Sequence, residues 1–129
     1  MKKVVIAVAL TLALAGCQTI QNLQGVYNTI TASTVPPGYA NIAINSFDAL
    51  KATAVNYGQY CVQNHFPLPL CSAANRRSVV KFVRSGTGAR NALEANITTN
   101  QPVLSTTYNV LVAAINGLQA TPIQTVKGQ

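Results

Sequence analysis

The sequence predicts an all-α protein, a small three-helix up-down-up bundle with an additional short N-terminal helix, stapled by one disulfide. Three long segments carry apolar residues at alternating spacings of three and four, which is typical of a helix that packs along one face. No segment alternates at a period of two over a convincing length, as a half-buried strand requires. Because two helices would leave one apolar stripe in water, three helices are the smallest arrangement that buries every stripe.

The first long segment begins at about Tyr39, after Pro36-Pro37-Gly38, which predicts a turn or linker. It ends before Pro67 and Pro69, because each proline removes a backbone donor and fixes φ. Its apolar stripe consists of Ala43, Phe47, Leu50, Ala54, Tyr57 and Cys61.

The second long segment starts after Ser72, whose hydroxyl suits the N-cap position of a helix. Gly86 and Gly88 lie inside it, and each costs about 1 kcal/mol in a helix interior. They predict either close helix packing or a kink. The apolar stripe of this segment consists of Val79, Phe82, Gly86, Ala89, Leu93 and Ile97.

The third long segment follows a polar connection at residues 96–102. Gly117 and Pro122 predict where it fades, so we expect a bundle domain over residues 39–121 and a flexible tail over residues 122–129. The apolar stripe of this segment consists of Leu104, Tyr108, Leu111, Ile115 and Leu118.

The N-terminus carries an export pattern. Met1-Lys2-Lys3 is a short positive region, and an apolar run at residues 4–15 and a small residue follow before Cys17. The run is too short for a membrane-spanning helix, which needs roughly 20 apolar residues. The pattern therefore predicts a secretory signal.

The end of this pattern, Leu14-Ala15-Gly16-Cys17, resembles the lipobox of bacterial lipoproteins, and the resemblance covers residues 1–17. It implies that residues 1–16 are removed and that Cys17 is acylated on its thiol and on its new amine. Two or more acyl chains hold a protein stably at a bilayer, whereas one does so only marginally. Because Gln18 is not an aspartate, the resemblance further implies the outer membrane of a Gram-negative host, facing the periplasm.

A short amphipathic helix is favoured directly after the anchor by Ile20, Leu23, Tyr27 and Ile30, which are spaced three, four and three. This helix either packs alongside the bundle or spaces it from the membrane. Residues 17–38 are thus expected to comprise the lipid anchor, this helix and a Pro-rich linker.

Cys61 and Cys71 are the cysteines that remain besides Cys17. An even pair in an exported chain predicts a disulfide, and closing a loop of this size contributes roughly 2–3 kcal/mol of stability. The alternatives are a metal pair with His65 and a redox-active pair. Zinc needs further ligands that the chain does not offer, and redox pairs usually have Cys-x-x-Cys spacing.

The chain is basic, with nine Lys and Arg residues against two acidic residues and a net charge of +7. When Lys2 and Lys3 leave with the signal, seven basic residues remain against Asp48 and Glu94, which gives about +5. Expected local pairs are Arg90 with Glu94 and Asp48 with Lys51. The two carboxylates lie on different predicted helices, so no acid–base pair is expected.

The densest basic run comprises Arg76, Arg77, Lys81 and Arg84. At 100° per residue, Arg77, Lys81 and Arg84 share one helix face opposite the apolar stripe, and Arg76 lies to one side. Such a face predicts contact with anionic lipid headgroups, peptidoglycan carboxylates or an acidic protein. The alternative is a solvated face without a partner. Nucleic acid is not expected, because export removes the protein from it and no stacking platform accompanies the charges.

No catalytic residue, metal site or cofactor is predicted. The run from Ser85 to Arg90 superficially resembles a phosphate-binding loop but lacks the preceding strand and the Gly-Lys-Ser/Thr ending. His65 is expected to be an exposed loop residue. The sequence therefore predicts a non-enzymatic envelope lipoprotein with a structural or adaptor role, presenting helix 72–97 to an anionic or protein partner. Alternatives are an accessory subunit of a larger envelope secretion or transport assembly and a small-ligand carrier.

Overall fold

A computed structural model describes residues 32–126 and shows a mostly helical chain, with three α-helices followed by a short 3-10 helix. Within these residues no strand forms, apart from one isolated bridge between Thr34 and Leu104. The all-α class is confirmed, while the predicted helix at residues 20–30 lies outside the described residues. The elements are α1 (Pro37–Gln63), α2 (Ala73–Thr98), α3 (Ser105–Gln119) and η1 (Pro122–Val126).

Neighbouring helices run in opposite directions. Phe47 of α1 lies against Gly86 of α2, whereas the later Cys61 of α1 is bonded to Cys71, which precedes α2. Residue numbers thus rise along α1 as they fall along α2. The same relation holds for the next pair, because Gly86 lies against Ala114 of α3 and the earlier Phe82 lies against Gly117.

Helix α1 begins two residues before the expected Tyr39. Pro36 is the N-cap and Pro37 occupies the first helical position. Proline suits that position, because its missing N–H has no partner in the first turn and its φ is already helical. The expectation that residues 36–38 form a turn or linker is therefore wrong for Pro37 and Gly38.

Helix α2 is continuous through both of its glycines. The Ser72 hydroxyl accepts the Asn75 N–H at 3.2 Å, which confirms the predicted N-cap. A Cβ at Gly86 would collide with the Phe47 ring, whereas a Cβ at Gly88 would meet nothing within 4 Å. Close packing at Gly86, rather than a kink, is thus the alternative that the structure supports.

Helices α1 and α2 both end in hydrogen-bonded caps. After α1, the Phe66 N–H donates to the Cys61 carbonyl at 2.7 Å and the His65 N–H donates to the Val62 carbonyl at 3.3 Å. This pair of bonds is the Schellman pattern, in which the residue after the C-cap adopts a positive φ. His65 has a φ of 56°, and Asn100 occupies the same position after α2 with a φ of 53°.

The three predicted stripes form most of the core between the helices. Leu104 is the exception, because it lies before α3 and remains 48% exposed. The prediction of a flexible tail over residues 122–129 is wrong for residues 122–126, since η1 buries Ile123 and Val126 against the bundle. The buried apolar residues of α1, α2 and α3 are Ala40, Ala43, Ile44, Phe47, Leu50, Ala54, Tyr57, Cys61, Val79, Ala89, Leu93, Tyr108, Leu111, Val112, Ala114, Ile115 and Leu118.

Candidate functional site

The connection between α1 and α2 is closed by the predicted Cys61–Cys71 disulfide. Both cysteines are buried, and their Cα atoms lie 5.6 Å apart. Because the two sulfurs are bonded to each other, neither is free to bind a metal with His65, which is exposed as expected. In residues 32–126, no three His, Cys, Asp or Glu side chains cluster as metal ligands would.

The hydroxyls of Tyr57 and Tyr108 differ in whether they form a hydrogen bond. The Tyr57 hydroxyl donates to the Leu70 carbonyl at 2.8 Å, which ties α1 to the disulfide-closed connection. The Tyr108 hydroxyl is buried and has no hydrogen-bond partner in the described part of the chain. Burial raises the pKa of both phenols, and for Tyr57 the nearby Arg76 charge partly offsets this rise in pKa.

The structure brings the basic run together on the first half of α2, as a surface that we call the basic face. All its members are exposed, and together with Ala73, Val80 and Ser85 they line a shallow open groove of about 710 Å³. The residues of the basic face are Arg76, Arg77, Lys81 and Arg84.

Arg76 is the most constrained member of the basic face. Its Nε donates to the Cys71 carbonyl at 3.2 Å, and its guanidinium carbon lies 4.4 Å from the centre of the Phe66 ring. A cation above an aromatic ring is attracted by the negative ring face. Arg76 therefore joins the basic face to the disulfide-closed connection.

The acidic side chains lie elsewhere and contact one arginine. Arg90 Nη2 lies 3.1 Å from Asp48 Oδ2, and Arg90 Nη1 contacts Glu94 Oε2. The predicted Arg90–Glu94 pair is confirmed, whereas the expected Asp48–Lys51 pair is wrong, because Asp48 faces α2 across the helix interface. The hydrogen bonds that Arg90 donates to the Asp48 carboxylate hold the pKa of Arg90 above its ordinary value, so the guanidinium stays charged.

This arrangement leaves the basic face without an acidic partner from its own chain. The full sequence has two acidic residues, Asp48 and Glu94, and both contact Arg90. No ion pair in residues 32–126 involves the basic face. Like charges one turn apart, such as Arg77 and Lys81, repel by a few tenths of a kcal/mol. The basic face is thus an uncompensated cationic surface.

A second groove of about 470 Å³ lies between α1 and α2 and shares a wall with the basic face. Its large exposed apolar residues are Val55, Val62, Phe66 and Val80, and Arg76 and Arg84 line its α2 side. We call it the apolar groove. It is lined by Ala54, Val55, Tyr57, Gly58, Val62, Phe66, Arg76, Val79, Val80, Val83 and Arg84.

Sequence reasoning missed the apolar groove, although a signal for it exists. Val55 and Val62 lie seven residues apart, each directly after a member of the α1 stripe. Two such residues extend the apolar side of the helix beyond what three packed helices bury. An apolar stripe that is wider than three packed helices can cover predicts exposed apolar surface on α1.

The fold and the site define a class, a disulfide-stapled bundle of three helices with a cationic face and an apolar groove. No protein-family model, no curated protein and no solved structure matches this chain. A search of residues 32–126 for a helix with the length and hydropathy to cross a bilayer finds none.

Proposed function

We propose that the protein is a non-enzymatic envelope lipoprotein with a structural or adaptor role, held at the membrane by lipid on Cys17 and bound to an anionic partner through the basic face. The observation that carries this proposal is the distribution of charge. Both acidic side chains of the chain contact Arg90, so no acidic side chain is left to pair with the basic face. An external anion supplies what the chain lacks.

The proposed contact is electrostatic and reversible. The basic face extends from residue 76 to residue 84, about 12 Å along a helix at 1.5 Å per residue. Consecutive cations of the face lie at most about 6 Å apart along the helix axis, which is less than the Debye length of about 8 Å at physiological salt, so their fields overlap. Such a surface attracts anionic partners from solution and increases association rates, and added salt weakens it.

The proposed tether enters the bundle at the end opposite the disulfide. Thr34 bridges Leu104 near the start of α1, whereas Cys61 lies near the end of α1. Residues 18–31 reach at most about 50 Å when fully extended, at up to 3.6 Å per residue. In this proposal residues 1–16 are the signal peptide, residues 20–30 form the short helix, and the protein faces the periplasm from the outer membrane.

The anchor is tested by the mass of the intact protein purified from its native cells. We expect a chain that begins at Cys17 and carries at least two acyl chains, because one chain does not anchor stably. Retention of residues 1–16, or a mature chain without lipid, contradicts the proposal.

The basic face is tested by reversing its charge at Arg77, Lys81 and Arg84 in the full-length lipoprotein. Cells are crosslinked, envelopes are solubilised, and the lipoprotein is captured with its partner. We expect the triple glutamate variant to lose at least about 90% of the wild-type crosslinked partner, since each charge pair lost from a desolvated contact costs 1 kcal/mol or more.

Matched single variants control for net charge in this experiment. Lys81→Glu and Lys51→Glu change the charge equally, but Lys51 lies on α1 outside the basic face. We expect the first variant to weaken capture and the second to leave it unchanged. Equal capture by the triple variant and the wild type would show that the basic face is only a solvated surface.

A further inference from the structure

The apolar groove exposes hydrophobic surface that the bundle does not use. Val55, Val62 and Val80 are 51%, 63% and 47% exposed, respectively. Gly58 lies between the two α1 valines, and a Cβ built on it meets nothing within 4 Å. Because Gly58 has no side chain, the backbone of another chain can approach α1 closely at the centre of the groove.

Charge is present on one wall of the apolar groove only. Arg76 and Arg84 line the α2 wall, with Arg77 and Lys81 beside them on the basic face. None of the α1 residues that line the groove carries a charge. A matching ligand has an apolar stripe with negative charge along one side of it.

We propose that the apolar groove binds a short acidic amphipathic helix of a partner protein, which lies along α1 and α2 as a fourth helix. Its apolar stripe packs on Val55, Val62 and Val80, and its acidic flank pairs with Arg76 and Arg84. Val55 and Val62 are about 10 Å apart along α1, which two turns of helix span. Anchors at i, i+3 or i+4, and i+7 fit such a groove. This inference rests on the proposed function and specifies its partner.

Charge disfavours the occupants that the chain itself could supply. A second copy presents the same cationic surface, and its Asp48 and Glu94 contact Arg90. Residues 1–31 and 127–129 contain no acidic side chain to meet the α2 wall.

A bilayer surface matches the shape of the groove less well than a helix does. Peripheral proteins bury a protruding apolar face among headgroups that surround it on all sides. Here the apolar residues line a concave groove, and cations flank it on one side. A helix with one acidic flank complements both the shape and the charge.

The test uses three synthetic 18-residue peptides and the full-length lipoprotein in detergent micelles, with binding followed by fluorescence anisotropy. The first peptide has leucines at helical spacing and glutamates along one flank. The second has glutamine in place of each glutamate, and the third has the composition of the first in scrambled order. We expect the first to bind about tenfold more tightly than either control, which corresponds to about 1.4 kcal/mol.

Variants of the protein locate the binding. Val80→Ser is expected to weaken the first peptide about fivefold, whereas Val110→Ser is the matched control, because Val110 is also 47% exposed but lies on α3. Arg84→Gln is expected to reduce the advantage of glutamate over glutamine, because Arg76 still meets the acidic flank. Arg76 is left unchanged, because it also contacts Phe66 and the Cys71 carbonyl.

The outcomes separate this inference from the proposed function. If the scrambled peptide binds as tightly as the first, and the triple glutamate variant of the basic face abolishes both, charge alone acts and the inference is wrong while the proposed function stands. If no peptide distinguishes the triple variant from the wild type, the inference is wrong, and capture from crosslinked envelopes decides the proposed function independently. If Val80→Ser instead abolishes binding to phosphatidylglycerol vesicles and leaves the peptide unaffected, the groove serves lipid and the inference is overturned.

Discussion

The two halves of α2 differ in whether their positive side chains contact acidic side chains. In the second half, Arg90 contacts Asp48 from α1 and Glu94 from its own helix. In the first half, the basic face, which comprises four cations, contacts no acidic side chain of the chain. The two acidic residues of the molecule are thus concentrated around one arginine.

Burial explains this difference. The Arg90 side chain is 23% exposed, and a charge that loses water requires compensation from ionic and hydrogen-bond partners. The side chains of Arg77, Lys81 and Arg84 are exposed and remain hydrated without a partner. Pairing in the second half therefore serves the fold, whereas the cations of the first half are exposed and contact no acidic side chain of the chain.

The largest expected effect lies at the boundary between the halves. Gly86→Ala places a Cβ against the Phe47 ring and Ala114, so we expect a loss of about 2–3 kcal/mol in the free energy of unfolding from overpacking. Gly88→Ala is the matched control, because its Cβ meets nothing. That variant should gain about 0.5–1 kcal/mol. Urea denaturation measures both, and equal stabilities would show that Gly86 is not a packing site.

A smaller effect tests the comparison directly. Arg90→Gln removes the contact with Asp48 across the helix interface, and we expect it to destabilise the fold by about 1 kcal/mol. Lys81→Gln, in the first half, should change stability by less than about 0.5 kcal/mol. The measurement is again urea denaturation, at low and at high salt. If Lys81→Gln proved the more destabilising variant, the conclusion that Arg90 stabilises the fold and Lys81 does not would be wrong.

Effects of about the same size or smaller concern the tyrosine hydroxyls. Tyr57→Phe loses its bond to the Leu70 carbonyl beside the first half and should cost about 1 kcal/mol. Tyr108→Phe removes a buried hydroxyl that has no partner in the described residues, so we expect no loss or a small gain. Thermal denaturation of the two variants distinguishes them, and a larger loss at Tyr108 would contradict the assignment.

The same tyrosines predict an alkaline limit. Burial raises the folded-state pKa of Tyr57 and Tyr108 above the ordinary value of 10.0. Their contribution to stability is complete below pH 10 and is lost as pH rises, because the unfolded phenols ionise first. Thermal unfolding midpoints measured from pH 8 to pH 11 should fall less steeply in the variant that combines Tyr57→Phe and Tyr108→Phe than in the wild type.

Local features of the structure followed from the sequence. The apolar stripes apart from Leu104, the Ser72 cap, the Cys61–Cys71 bridge and the Arg90–Glu94 pair are confirmed. Each depends on spacing within a single helix or across a short connection. Helical periodicity and loop length are properties of neighbouring residues, so the chain alone reveals them.

The errors arose where distant segments meet. Ile123 is buried because η1 packs against the bundle, and the periodicity of a five-residue segment does not predict this. Asp48 was assigned to Lys51 on its own helix, but packing turns it toward α2. The apolar groove was missed for the same reason, since a valine on the flank of a stripe is covered or exposed according to where the next helix lies.

The sequence by itself determined three helices, the disulfide that joins two of them, and a basic run on one face. Tertiary structure alone decided that Arg90 also contacts Asp48 and that a groove remains open beside the unpaired cations. The physical reason is the separation along the chain of the residues that determine each feature. A helix forms from contacts between residues four apart, whereas the position of a charge or a groove depends on how whole helices pack.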